Sequence, residues 1–234
     1  MKITAILFDK DGTLLDFHKT WMPVYGAVAR LFAGDDAAAA ERLLVAAGLD
    51  PARGVIKSGS LLAAGNNEEI ADCFFEALGK PLEPRLVAEL DRIFAQEGAA
   101  STVAVPAMAE TLGRLKDKGY RLGVATSDSA EGAEATLAPF GVIDLLEFVA
   151  GYNSGHGSKP GPGMVLGFCA CLGCGPAEVA VVGDNSHDMN MARAAGAGLR
   201  IGVLTGTSLR EDLAAHADHV IDSIADLEGL LASR

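Results

Sequence analysis

Five short apolar runs along the chain are continuous rather than alternating: 3–9 (ITAILFD), 121–127 (RLGVATS), 147–151 (EFVAG), 179–184 (VAVVGD) and 199–204 (LRIGVL). Strands covered on both faces carry that pattern, because neither set of alternate side chains meets water. A sixth run, 219–224 (HVIDSI), fits the same template. From residue 106 onward, stretches of helical spacing separate most of the runs. One is 106–119, with proline at its start and glycine at its end, and another is 186–196. The alternation predicts an α/β fold built on a doubly wound parallel sheet.

The stretch between Asp16 and Pro106 breaks the alternation and is far too long for a loop. Helical spacing recurs within it near 20–33, 36–48, 67–79 and 84–97, and no strand pattern is evident. Asn66 followed by Glu69 has the form of a capping box at the start of the third segment. The reading is an inserted helical bundle over 18–100, with 1–17 and 101–234 forming the α/β core.

Composition narrows the functional classes. Half of the 234 residues are apolar, enough for a sizeable core. The formal net charge is −12, so the chain lacks the basic footprint expected of a nucleic-acid or anionic-membrane binder. No apolar stretch reaches the ~18 residues of a membrane helix, and the first residues do not read as a signal peptide. The cytoplasm is the expected location. Three of the four cysteines form CACLGC at 169–174. Cys169 and Cys171 would point from different faces of a helix and no histidine is near in sequence, so all are expected as buried or half-buried thiols rather than metal ligands.

In open parallel sheets, ligands bind beyond the carboxyl ends of the strands. There the first run ends in Asp9 and Asp11, the second in Thr126 and Ser127, the third leads to Lys159, and the fourth ends in Asp184 with Asp188 following. Carboxylates converging from separate strand ends repel one another unless a hard divalent cation and a fixed ammonium group offset them. Mg²⁺ fits that need, since it takes oxygen ligands and keeps positions for water and a phosphate oxygen. A glycine-rich P-loop is missing.

Four short motifs in order, DKDGTL at 9–14, ATS at 125–127, KPGPGM at 159–164 and GDNSHD at 183–188, resemble those of the haloacid dehalogenase superfamily. The insertion after the first motif is similar to the helical cap of its phosphoglycolate phosphatase-like branch. The resemblance implies a Mg²⁺-dependent phosphatase acting on a small phosphorylated metabolite, phosphoglycolate or a sugar phosphate, through an aspartyl phosphate. Asp9 would be the nucleophile. Asp11 would protonate the leaving alcohol and then deprotonate water, its backbone carbonyl also serving the metal, while Thr13 would steady the turn and orient Asp11. Thr126, Ser127 and Lys159 would hold the phosphoryl group. Asp184 would bind Mg²⁺ directly, and Asp188 would act through water or Lys159.

Lys10 would point away from both aspartates if the chain stayed extended, leaving Lys159 as their cation. Arg53 and Lys57, between cap helices, are candidate substrate contacts. His156 and His187 read as surface or packing residues. A sugar phosphomutase shares every core motif and is the first alternative, followed by a non-catalytic binder of phosphorylated metabolites. Oligomeric state is not legible.

Overall fold

The computed structural model describes residues 2–79 and 84–232. In chain order the elements are β1 (Ala5–Phe8), α1 (Phe17–Ala33), α2 (Ala37–Ala47), β2 (Leu49–Asp50), β3 (Val55–Ile56), α3 (Leu61–Ala64), α4 (Asn67–Ala77), α5 (Pro84–Ser101), α6 (Met108–Asp117) and β4 (Arg121–Ala125). There follow α7 (Ala130–Leu137), β5 (Leu146–Ala150), α8 (Gly163–Leu172), β6 (Val179–Gly183), α9 (Ser186–Ala195), β7 (Leu199–Val203), α10 (Arg210–Ala214), β8 (His219–Ile221) and α11 (Leu227–Ala232).

Six strands form one sheet in the order β5-β4-β1-β6-β7-β8, all parallel. The continuous apolar runs are explained by helices on both faces. Ile6 and Phe8 of β1 enter one buried cluster with Leu122, Val124, Val182 and Ile201. Ala5 and Leu7 enter the opposite one with Val181, Val165 and Phe168. The strand period of two thus divides one run between two cores. Strand order reverses beside β1, between the connection to β4 on one side and to β6 on the other, and this is where ligands bind in such sheets.

The stretch from α1 to α5 has its own core, including Trp21, Tyr25, Val28, Leu43, Phe74 and Phe94. The capping box is present: Asn66 accepts from the Glu69 amide at 3.0 Å, and Glu69 accepts from the Asn66 amide at 2.9 Å. One feature departs from expectation, an antiparallel pair formed by β2 and β3. Each strand has two residues, too short to carry a period. Crossing points back to the sheet are tied by backbone bonds from Asp16 N to Val103 O at 2.8 Å and from Val105 N to Leu14 O at 3.0 Å. Of the cysteines, Cys169 is buried and Cys73 and Cys174 are intermediate, but Cys171 is exposed, its thiol lying at the sheet edge 3.5 Å from the Glu147 carbonyl of β5. Among the described residues no helix is long and apolar enough to cross a membrane.

Candidate active site

Asp9 still belongs to the sheet, its amide donating to Val182 O at 2.8 Å. The chain then folds tightly on itself. The amides of Leu14 and Leu15 both donate to Lys10 O, at 2.8 and 2.9 Å, and Gly12 takes φ +89°. The turn holds Asp11 over the strand ends and brings Gly12 against Asp184, where a Cβ would lie 2.7 Å from the carboxyl carbon. Gly206 approaches from the other side, and a Cβ there would fall 1.8 Å from Asp184 Oδ2. Asp184 Oδ2 also accepts from the Thr207 amide at 2.8 Å. The carboxylate is therefore fixed in position.

Lys159, on the loop after β5, is buried, and its ammonium donates to Asp9 Oδ1 and to Asp188 Oδ1, each at 2.6 Å. Asp188 sits in the first turn of α9, where its Oδ2 accepts from the Asn185 amide at 3.1 Å. Burial opposes the Lys159 charge, but Asp188 and Asp9 outweigh it and keep the ammonium protonated far above neutrality. Burial pushes the Asp9 carboxyl up to about 7 against the pull of Lys159, with Asp188 and Asp11 adding to the rise. Burial, then Asp9 and Asp188, hold the Asp184 carboxyl well above the usual range.

Asp9, Asp184 and Asp188 each offer an oxygen within 4.8 Å of the others. Asp9 Oδ2 is buried and has no hydrogen-bond partner among the described residues. Three buried carboxylates facing one ammonium, with an unengaged oxygen among them, match what a hard divalent cation requires.

The rest of the pocket is built by both parts of the chain. Thr126 Oγ1 accepts from the Asp128 amide at 3.1 Å and stands 3.5 Å from Asp11 Oδ2. Ser127 turns its hydroxyl to the carbonyl of Ala64 at 3.0 Å, joining the strand end to α3. Phe17, Trp21, Tyr25, Leu62, Ile70 and Phe94 close the pocket from above.

Several expectations need correction. Lys10 does not point away. It is fully buried, with Nζ 2.9 Å from Asp11 Oδ2 and 3.1 Å from Asp128 Oδ2, because the turn after Asp9 abolishes the strand alternation. Thr13 does not orient Asp11, since its hydroxyl is buried without a hydrogen-bond partner among the described residues. The structure does not bring Arg53 and Lys57 to this pocket. Both are exposed and line a separate cavity between the β2–β3 pair and the segment that leads from β7 into α10. His187 lines the active-site pocket, whereas His156 packs on the Phe148 ring, with centroids 5.5 Å apart. Asp128 and Trp21 were not legible as site residues. The first lies beyond the motif at 125–127 and the second four residues into a helix.

The sequence matches the model of the haloacid dehalogenase-like hydrolase family over residues 3–196. The chain belongs to that family. Phosphoglycolate phosphatase of Nitrosococcus oceani is 29% identical over 234 residues, covering 97% of this chain and 96% of that one. A Dickeya dadantii protein named Probable phosphatase IndB is 35% identical over 131 residues, so the match spans 56% of either length. Among solved structures, CbbY of Rhodobacter sphaeroides in complex with phosphate has a TM-score of 0.72 at 24% identity, over 96% of each chain, a likeness of fold. The expectation of a haloacid dehalogenase-like enzyme acting on phosphoric monoesters stands.

Proposed function

We propose that this protein is a Mg²⁺-dependent phosphatase that hydrolyses a small phosphomonoester, of the phosphoglycolate or sugar-phosphate type, through a phosphorylated Asp9. The observation that carries the reading is the Lys159 ammonium bridging Asp9 and Asp188 at 2.6 Å beside Asp184, all at the strand ends where β1 meets β4 and β6. Residues 18–100 act as a cap over a core formed by 1–17 and 101–234.

Asp9, Asp184 and the Asp11 carbonyl would hold Mg²⁺, with Asp188 acting through its partners. When bound there, the ion supplies positive charge that offsets the carboxylates and polarises a phosphoryl oxygen. The chain's own groups supply the remainder. An Asp9 carboxylate oxygen attacks phosphorus in line, and the bond to the ester oxygen breaks as the new one forms. Asp11 gives its proton to the departing oxygen, which leaves as the alcohol. Lys159, the Thr126 hydroxyl and the Ser127 amide hold the phosphoryl oxygens throughout. In the second half, water attacks the same phosphorus, its proton passes to Asp11, and the bond to Asp9 breaks to release phosphate. Both carboxyl groups then stand as they began.

The cap side chains lining the pocket are aromatic, aliphatic or small apart from Asn67, which supports hydrolysis over isomer formation by a mutase. The acidic chain and its small pocket support a small metabolite as substrate in the cytoplasm. Phosphate release over a panel of metabolite esters and one aryl phosphate, with Mg²⁺ and with chelator, tests the reading. Release that needs both Mg²⁺ and Asp9 is expected. No release from any ester would refute it.

A further inference from the structure

Lys10 is the one fully buried lysine of the site that the proposed reaction does not use. Its Nζ lies 3.0 Å from Asp11 Oδ1 and 2.9 Å from Oδ2, reaches Asp128 Oδ2 at 3.1 Å, and sits 4.9 Å from the centre of the Trp21 ring. A buried ammonium keeps its charge when other groups replace its hydration, and here two carboxylates and a π-face do so. Asp128 is held just as firmly. Its Oδ1 accepts from the Ser129 amide at 2.7 Å, and its carboxylate packs so closely on α7 that a Cβ at Gly132 would lie 2.6 Å from either oxygen.

The fourth member comes from the cap. Trp21 on α1 donates its indole N–H to Asp11 Oδ1 at 2.5 Å. Its ring is stacked on Tyr25 and meets Phe94 edge-on, with centroids 6.0 and 5.7 Å away, so it moves with the cap's aromatic core. Asp11 is thus gripped from the core through Lys10 and from the cap through Trp21. Left alone on its turn, a carboxylate of this length would sample several rotamers, and a proton-transfer group must be within hydrogen-bond reach of one oxygen.

We propose that Lys10 and Asp128 are positioning residues that orient Asp11 for proton transfer, and that Trp21 ties that orientation to the seating of the cap. This rests on the acid–base role proposed above for Asp11. Asp128 acts only through Lys10, and Lys10 acts only through Asp11. The arrangement gives the cap a chemical task besides excluding water: the proton donor is aligned where the cap's indole can reach it.

The test compares two esters by kcat/KM, which reports steps up to phosphorylation of Asp9. Phosphoglycolate needs its leaving oxygen protonated, whereas p-nitrophenol leaves without that help. The paired variant Lys10→Met with Asp128→Asn removes one charge of each sign and so avoids stranding a buried carboxylate beside Asp11. It is expected to lose about 100-fold on phosphoglycolate and under about tenfold on p-nitrophenyl phosphate, the discrimination characteristic of general-acid loss. Asp11→Asn should show the same pattern, and adding it to the pair should cost nothing further on phosphoglycolate.

Trp21 is the only tryptophan, so its emission reports this node without turnover. Asp128→Asn alone, which leaves every direct Trp21 partner in place, should shift the emission, as should Asp11→Asn. Equal losses on the two esters, additive losses with Asp11→Asn, or unchanged emission in both single variants would each overturn the positioning role while leaving the hydrolase reading intact. No turnover of any ester of the panel by the wild-type enzyme would sink the hydrolase reading and this role with it.

Discussion

Lys159 Nζ stands 2.6 Å from Asp9 Oδ1 although 150 residues separate them in the chain. The contact joins the end of β1 to the loop after β5 and places a protonated amine beside the proposed nucleophile. Replacing Lys159 by methionine removes the charge and keeps much of the stem. The expected result is a fall in kcat of about 10²–10³-fold, the usual scale for one donor to a transferring group. Circular dichroism should confirm retained secondary structure in the same preparation.

Gly206 touches Asp184 so closely that any side chain must displace the carboxylate. Gly206→Ala is therefore a metal-site variant that changes no ligand. Saturating Mg²⁺ at 100 times its Kd would stabilise the wild-type fold by about 2.7 kcal/mol by mass action alone. A thermal melt should show that rise for the wild type and little of it for Gly206→Ala. Equal responses would mean that Asp184 does not bind the ion.

Arg53 and Lys57 line a different cavity from the one containing Asp9 and Asp11. Arg53→Ala and Lys57→Ala should each leave kcat/KM on phosphoglycolate within about twofold, the equivalent of the ~0.5 kcal/mol typical of surface substitutions. A large rise in KM for either would return that residue to the substrate's path.

The sheet was legible because burial on both faces leaves a continuous apolar run whatever the partner helices are. The runs at 121–127 and 179–184 became β4 (Arg121–Ala125) and β6 (Val179–Gly183) for that reason. The strand-end carboxylates were legible because Asp9 and Asp184 each end such a run, where a buried strand has no other use for charge, and Asp188 follows Asp184 by four residues. Lys10 was misread because strand alternation stops at Asp9, and what replaces it is a turn closed by three bonds to the Lys10 carbonyl. Its partner Asp128 comes from another strand end, and no local pattern links positions so far apart. Trp21 was invisible for a related reason. On α1 it reads as one more apolar residue of a helix face, and only the packing of that helix over Asp11 gives its N–H a partner. The β2–β3 pair and the distance of Arg53 and Lys57 from the pocket are likewise matters of tertiary placement.

In the proposed reaction phosphorus passes through Asp9, whose Oδ2 is buried without a hydrogen-bond partner among the described residues. The most direct measurement is rapid acid quench during turnover with Mg²⁺, followed by peptide mapping for a phosphoryl group, with Asp9→Asn run alongside. A transient phosphoryl adduct on the peptide containing Asp9, labile to hydroxylamine, is expected, with neither adduct nor phosphate release in Asp9→Asn. Sustained phosphate release by Asp9→Asn at the wild-type rate would contradict it.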